Sequence, residues 1–151
     1  MIEPAPRKVT SAAELIEVGL EIEGIQFFRL QAEVNDYGPI AEVRLGEFEP
    51  SYGLKLRHVG DQLGIRVSIT LELISAKIVV DGAVNYVTSE VVDMDEETLL
   101  EFANSVGVMA ILPYLRQAIA DLSQRVLGEV VLMPVIPLGG LAFTRGGAVS
   151  G

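Results

Sequence analysis

Cysteine and tryptophan are absent from this 151-residue chain, and histidine occurs once. The first absence removes disulfides, thiolate metal sites and thiol nucleophiles together. It suits a reducing compartment. The single histidine, His58, sits beside Arg57 and three residues before Asp61. No nucleophile or metal ligand recurs near it, so it reads as a surface loop residue and the chain as a non-enzyme without cofactor. Positive charge is scarce too: 11 Lys and Arg face 21 Asp and Glu, a net charge of −10. Residues 14–50 hold nine acids and two bases, and residues 93–101 hold five acids and no base. Such a surface repels phosphate backbones, which excludes nucleic acid as a partner. Long apolar runs are missing as well. Val106 to Leu115, the longest in the C-terminal half, falls short of the ~20 residues that span a bilayer. Met1 to Thr10 carries Glu3, two prolines, Arg7 and Lys8 with no apolar run behind them. It reads as a disordered lead and not as a signal peptide. The expectation is a soluble, cytoplasmic protein.

What is abundant is apolar: 50% of residues are hydrophobic and the mean hydropathy is +0.41. In an acidic chain of one-domain length, that pairing points to apolar surface used for self-association or partners.

The pattern along the chain places elements. Ser11-Ala12-Ala13-Glu14 is a capping box and predicts a helix over about 11–23, with a rival strand reading because Val18, Leu20 and Ile22 alternate with glutamates. Phe28, Leu30, Ala32 and Val34 alternate with polar residues as in a half-buried strand, which Asn35 to Pro39 breaks. Residues 40–46 give a weaker strand, and Glu47 to Leu54 an irregular aromatic piece. Leu63 to Leu73 alternates strongly, Asp81-Gly82 reads as a hairpin turn, and residues 83–92 form the returning strand. Links this short make the strands antiparallel.

At Asp93 the texture changes. Asp93-Met94-Asp95-Glu96 caps a helix with acids in its first turn, Gly107 interrupts it, and a second helix runs to about Leu127. Those acids lack the spacing of a calcium loop, so capping explains them and no metal is called for. Val108, Leu112, Leu115, Ile119, Leu122 and Val126 follow at steps of four and three, one apolar seam widened by Ile111 and Ala118. Gly128 caps that helix, and Val130 to Leu138 is extended. Gly139-Gly140 and Gly146-Gly147 lie outside any strand–turn–helix context, which excludes a phosphate cradle. The organisation is therefore a lead over 1–10, one α+β domain over 11–138 and a flexible tail over 139–151.

Leu112-Pro113-Tyr114-Leu115-Arg116, then Ile119, Leu122 and Arg125, then Leu132-Met133-Pro134-Val135, resembles the signature region of the SecB export chaperones. Upstream, Phe48-Glu49-Pro50 followed by Tyr52, Leu54 and Leu56 looks like that family's crossover loop. The resemblance covers roughly residues 25–136. It implies a four-stranded antiparallel sheet followed by a long C-terminal helix, assembled as a dimer of dimers. It also implies an ATP-independent holdase that binds unfolded or nascent polypeptides in apolar grooves. Phe48, Tyr52, Leu54, Leu56, Leu99, Phe102 and Val106 would line the client groove; Leu112, Tyr114, Leu115, Ile119 and Leu122 would form the core and oligomer helix. Several positions depart from the export type. Val126 replaces the glycine after Arg125, and Pro137-Leu138-Gly139 replaces the start of a terminal helix. Ser75-Ala76-Lys77 occupies the hairpin where an acidic patch docks the motor SecA, and the acidic tail is missing. The chain looks closer to the SecB-like chaperones outside the export pathway, including those paired with toxin–antitoxin systems. An antitoxin is thus a candidate client, and SecA a doubtful partner. Two other readings share the element order: a helix-grip carrier with one enclosed pocket, and an interaction module for a single partner.

Overall fold

The computed structural model describes residues 5–34, 50–73, 76–133, 141–144 and 149–150. Its centre is a four-stranded antiparallel sheet of β2 (Leu20–Val34), β3 (Ser51–Val59), β4 (Gln62–Glu72) and β5 (Ala76–Thr88), in the order β2-β5-β4-β3. Leu63, Ile65, Val67, Ile69 and Leu71 are all buried on one face of β4, and Arg66, Ser68 and Thr70 are half-buried on the other. The period of two is the strand's own, so the alternation in sequence selects the face that receives the helices. Each such side chain contributes about 1.5–3 kcal/mol by leaving water.

Two turns differ from the sequence reading. Gly60 (φ 63°) and Asp61 make the β3–β4 turn, whereas Asp81-Gly82 makes none. β5 runs straight through that pair, and the β4–β5 connection lies at 73–76, closed by Leu73 N–H donating to the Ala76 carbonyl at 2.8 Å. Gly82 is small because of what covers it: a Cβ there would stand 3.2 Å from Leu115 of the long helix and 3.2 Å from the Phe27 ring. Asp81, on the opposite face, receives Arg66 through two parallel bonds of 2.9 and 2.8 Å. Both residues mimic a turn signal while serving packing and an ion pair.

The N-terminal helix is shorter than expected. α1 (Ala12–Val18) is capped by Ser11, whose Oγ accepts the Glu14 N–H at 3.1 Å, and the Glu14 carboxylate accepts Thr10 N–H at 2.8 Å. Gly19 ends it at φ 100°, a conformation that side chains avoid. From Leu20 the chain is strand, so helix and strand readings were each right for half of the segment. The lead is not wholly free either. Arg7–Lys8 (β1) pairs in parallel with Val92–Asp93 (β6), and Val9 is buried.

α2 (Glu96–Phe102), a π-helical turn (Ala103–Gly107) and α3 (Val108–Leu127) follow without a break. The cap is Asp95, not Asp93: its carboxylate accepts Thr98 N–H at 2.8 Å. Gly107 does not interrupt the run. A Cβ at that position would lie 2.7 Å from Ile65 Cγ1, so glycine lets the helix settle onto β4. The run is long and apolar enough to cross a membrane by length and composition, yet half of its most apolar window is buried within the fold. Phe102 meets Tyr86 edge to face at 5.2 Å, and Ile111, Leu115 and Ile119 are fully buried.

Beyond the Gly128 cap (φ 74°), Val131 and Met133 are buried against α3. Ser123 Oγ accepts Val131 N–H at 2.8 Å, and Arg116 donates to the Met133 carbonyl at 3.3 Å. Part of the expected tail is docked: Ala142–Phe143 (β7) pairs with Val149–Ser150 (β8), and Leu141 and Phe143 are buried. The Asn104 amide, in the π-helical turn, accepts Phe143 N–H at 2.8 Å and donates to its carbonyl at 2.9 Å. Buried apolar side chains thus lie on both flanks, at Val9 and at Leu141 and Phe143.

Candidate functional site

The helix-side face of the sheet is only partly covered. α3 rests mainly on β5 and β2, less on β4, and leaves an apolar groove between itself and the β2 edge. Phe27, Leu30, Tyr114, Gln117, Ala118, Asp121 and Leu122 line this groove, with a volume of about 290 Å³. Leu30 is 51% exposed, Tyr114 50% and Phe27 39%. Ile22 and Val34 continue the exposed apolar strip along β2, and Val130 and Leu132 add to the exposed apolar surface. Together these side chains expose a broad apolar surface, the kind that marks a binding site.

Of the apolar row expected to be half-buried, Ala32 packs against the core, whereas Phe28, Leu30 and Val34 are exposed. β2 is an edge strand, and α3 reaches only its inner flank. Two register shifts, between Ile22 and Gly24 and between Phe27 and Arg29, put extra residues into the strand. The second places Phe28 away from Leu30, beneath the Arg66 guanidinium at 3.9 Å. Sequence alternation singled out Phe28, Leu30, Ala32 and Val34 as one row and missed Phe27 as part of the groove. The adjacent Phe27-Phe28 pair was the available signal, since neighbours on a strand face opposite sides.

The residues expected to line a client groove separate into three groups. Phe48 lies outside the described residues. Tyr52, Leu54 and Leu56 are not in an irregular loop but on β3, opposite Ile69, Val67 and Ile65, on the helix-side face. They are half-buried against the core, as is Val106, and burial raises the Tyr52 phenol pKa above its ordinary value. Leu99 and Phe102 are buried and present no surface in the single chain. In the expected helix set, Leu112, Leu115 and Ile119 are core, whereas Tyr114 and Leu122 reach the groove.

The chemistry left for catalysis is thin. His58 is a strand residue, not a loop residue, and its Nε2 lies 3.1 Å from the Gly60 carbonyl. Among the described residues no three His, Asp or Glu side chains are placed to hold a metal. A helix-grip carrier needs a cavity between sheet and helix, but Ile65, Ile69, Leu115 and Ile119 fill that space.

An acidic, cysteine-free chain with this sheet order, one long C-terminal helix and an open apolar groove has known counterparts. No protein-family model matches the chain. A solved structure, the Mycobacterium tuberculosis Rv1957 SecB-like chaperone in complex with a ChAD peptide from the Rv1956 HigA1 antitoxin, superposes with a TM-score of 0.67. The match covers 82% of this chain and 95% of that one at 18% identity. The fold is SecB-like. Sequence agrees with geometry: the SecB-like chaperone SmegB of Mycolicibacterium smegmatis is 30% identical over 91 residues, 60% of this chain. The matched stretch spans 62% of that relative's length. Within the SecB-like fold, the groove falls where the sheet edge and the long helix meet.

Proposed function

We propose that this chain is an ATP-independent holdase that binds extended, unfolded segments, with an antitoxin segment as its dedicated client in toxin–antitoxin control. The observation that carries the reading is the exposed apolar strip of Phe27, Leu30 and Tyr114 at the β2 edge; half-buried Tyr52, Leu54 and Leu56 lie on β3, at the other edge of the sheet. A free sheet edge offers main-chain hydrogen bonds to an extended peptide, and apolar pockets beside it take alternate side chains with little sequence preference. Two named SecB-like relatives support the reading, one of them bound to an antitoxin peptide. Assembly as a homotetramer, a dimer of dimers, would cover part of the strip and leave the rest for clients. Cytoplasmic residence and the lack of enzymatic activity belong to the same proposal.

Lys77 gives less ground against SecA than its sequence position suggests. It pairs with Glu72 at 3.9 Å and lies opposite Glu33 on β2, so its charge is offset within its own row. The test is suppression of aggregation of a chemically unfolded protein, with light scattering to size the free chaperone. Leu30→Ser with Tyr114→Ser should weaken capture or break the assembly while the subunit stays folded by circular dichroism. A stable monomer that captures clients as well as the unaltered protein would overturn the proposal.

A further inference from the structure

The sheet face turned away from the helices gathers cations on its β3–β4 side, in a chain that is otherwise acidic. Register sets two rows across β3, β4, β5 and β2: Arg57, Gly64, Asn85 and Gly24, then Lys55, Arg66, Ala83 and Gln26. Gly64 and Ala83 keep the floor of these rows low, and a Cβ on Gly64 would already stand 3.3 Å from Asn85 Oδ1. The result is a trough of about 560 Å³ with Lys55, Arg57 and Arg66 on one bank and Glu23, Gln26 and Phe28 on the other.

The cations are not arranged for the stability of the free protein. Lys55 lies directly opposite Arg66, and like charges across an antiparallel pair are destabilising. Asp81 neutralises Arg66 with its two short bonds, and the guanidinium carbon stands 3.9 Å from the centre of the Phe28 ring. Among the described residues, Lys55 and Arg57 have no acidic partner. Glu23 is on β2, three strand spacings away, about 14 Å, and cannot serve them. In a chain of net charge −10 with nearly two acids per base, two unpaired cations beside a rigid arginine–phenylalanine stack are a local reversal of sign.

We infer that this trough docks an extended acidic peptide with carboxylates at alternate positions. Lys55 and Arg57 are two residues apart on one strand face, a separation of ~6.6 Å, which is the repeat of side chains along an extended chain. Charge-assisted bonds to two successive carboxylates would satisfy both cations, with the Arg66–Phe28 stack as the neighbouring wall of the trough. The surrounding negative field discourages long polyanions, so a short acidic segment fits better than nucleic acid. The site is on the opposite face from the apolar groove and does not depend on the holdase reading.

The test is fluorescence anisotropy with a labelled alternating Glu-Ser octapeptide, a Lys-Ser counterpart and a block peptide of the same Glu and Ser content. The alternating acidic peptide should bind saturably and more tightly than either control. Lys55→Gln with Arg57→Gln should weaken it by about tenfold or more. Arg125→Gln, on the exposed side of α3, should leave it unchanged. Aggregation suppression by the double variant should match the unaltered protein, which separates this site from the groove. Equal binding of the block or lysine peptide, binding unaffected by the double substitution, or free citrate binding as tightly as the peptide would each overturn the inference.

Discussion

Gly107 and Ile65 set the distance between the long helix and the sheet, and a double-mutant cycle can measure how tightly. A methyl on Gly107 would stand 2.7 Å from Ile65 Cγ1, 3.0 Å from Cγ2 and 3.1 Å from Cβ, well inside contact distance. Ile65 is held on both sides, by Leu56 on β3 and Val84 on β5, so it cannot retreat along the sheet. Gly107→Ala should therefore cost about 1–3 kcal/mol through overpacking, offset by roughly 1 kcal/mol of helix propensity. Ile65→Ala alone should cost about 2–5 kcal/mol through lost transfer energy and the cavity it leaves. In the double variant the new methyl occupies part of that cavity. The combined loss should then fall short of the sum by about 1 kcal/mol or more. Urea unfolding of the four proteins at one fixed concentration reads this directly, and each kcal/mol should move the melting temperature by roughly 2–4 °C. Additivity to within ~0.5 kcal/mol would mean that helix and strand do not meet here, and the account of Gly107 would fail.

The Tyr86 hydroxyl is buried with no hydrogen-bond partner among the described residues, so Tyr86→Phe should be neutral or stabilising by about 1 kcal/mol in thermal unfolding. Burial raises the pKa values of Tyr86 and Tyr52, so above the ordinary phenol pKa the unfolded chain loses protons that the folded chain retains. Stability should therefore fall as pH rises past ~10, with Tyr86→Phe flattening the decline; a stability that rises there would contradict the burial. Leu115→Asp should abolish folding, since it places an unpaired carboxylate in a fully buried position, and a native circular dichroism spectrum would refute that placement.

The sheet and the long helix were legible because their signals are strictly periodic. β4 shows five alternating buried aliphatics, and the α3 seam puts Val108, Leu112, Leu115 and Ile119 into the core as expected. What misled was residue identity without tertiary context. Asp81-Gly82 has turn chemistry, but glycine was needed under Leu115 and Phe27, and aspartate was needed for Arg66. Gly107 looked like a breaker for a similar reason. At the candidate site, Tyr114 was read from resemblance only as a core and oligomer-helix residue, Tyr52 and Leu54 lie on β3 away from the groove, and Phe27 went unnoticed. A two-residue-period reading cannot see a bulge that moves Phe28 to the other face. Docking of Phe143 by Asn104 was invisible as well, because the contact spans 39 residues.

The π-helical turn between Phe102 and Val108 has a consequence for length variation in this chain. A π turn holds one residue more than the α turn it replaces, so the apolar patterns before and after it run one residue out of step in sequence while facing the same core. Leu99 and Phe102 address the core from one phase, and Ile111, Leu115 and Ile119 from the other. Deleting a single residue within Ala103–Gly107, such as Ser105, would restore a uniform α-helix and keep every remaining side chain. Because the extra residue is the one the π turn absorbs, both apolar stretches would still face the sheet, and the run would shorten by about 1.5 Å. The five residues thus act as a length joint: one residue can leave here without turning the seam from the sheet, whereas a deletion inside α2 or α3 would rotate one segment by about 100°.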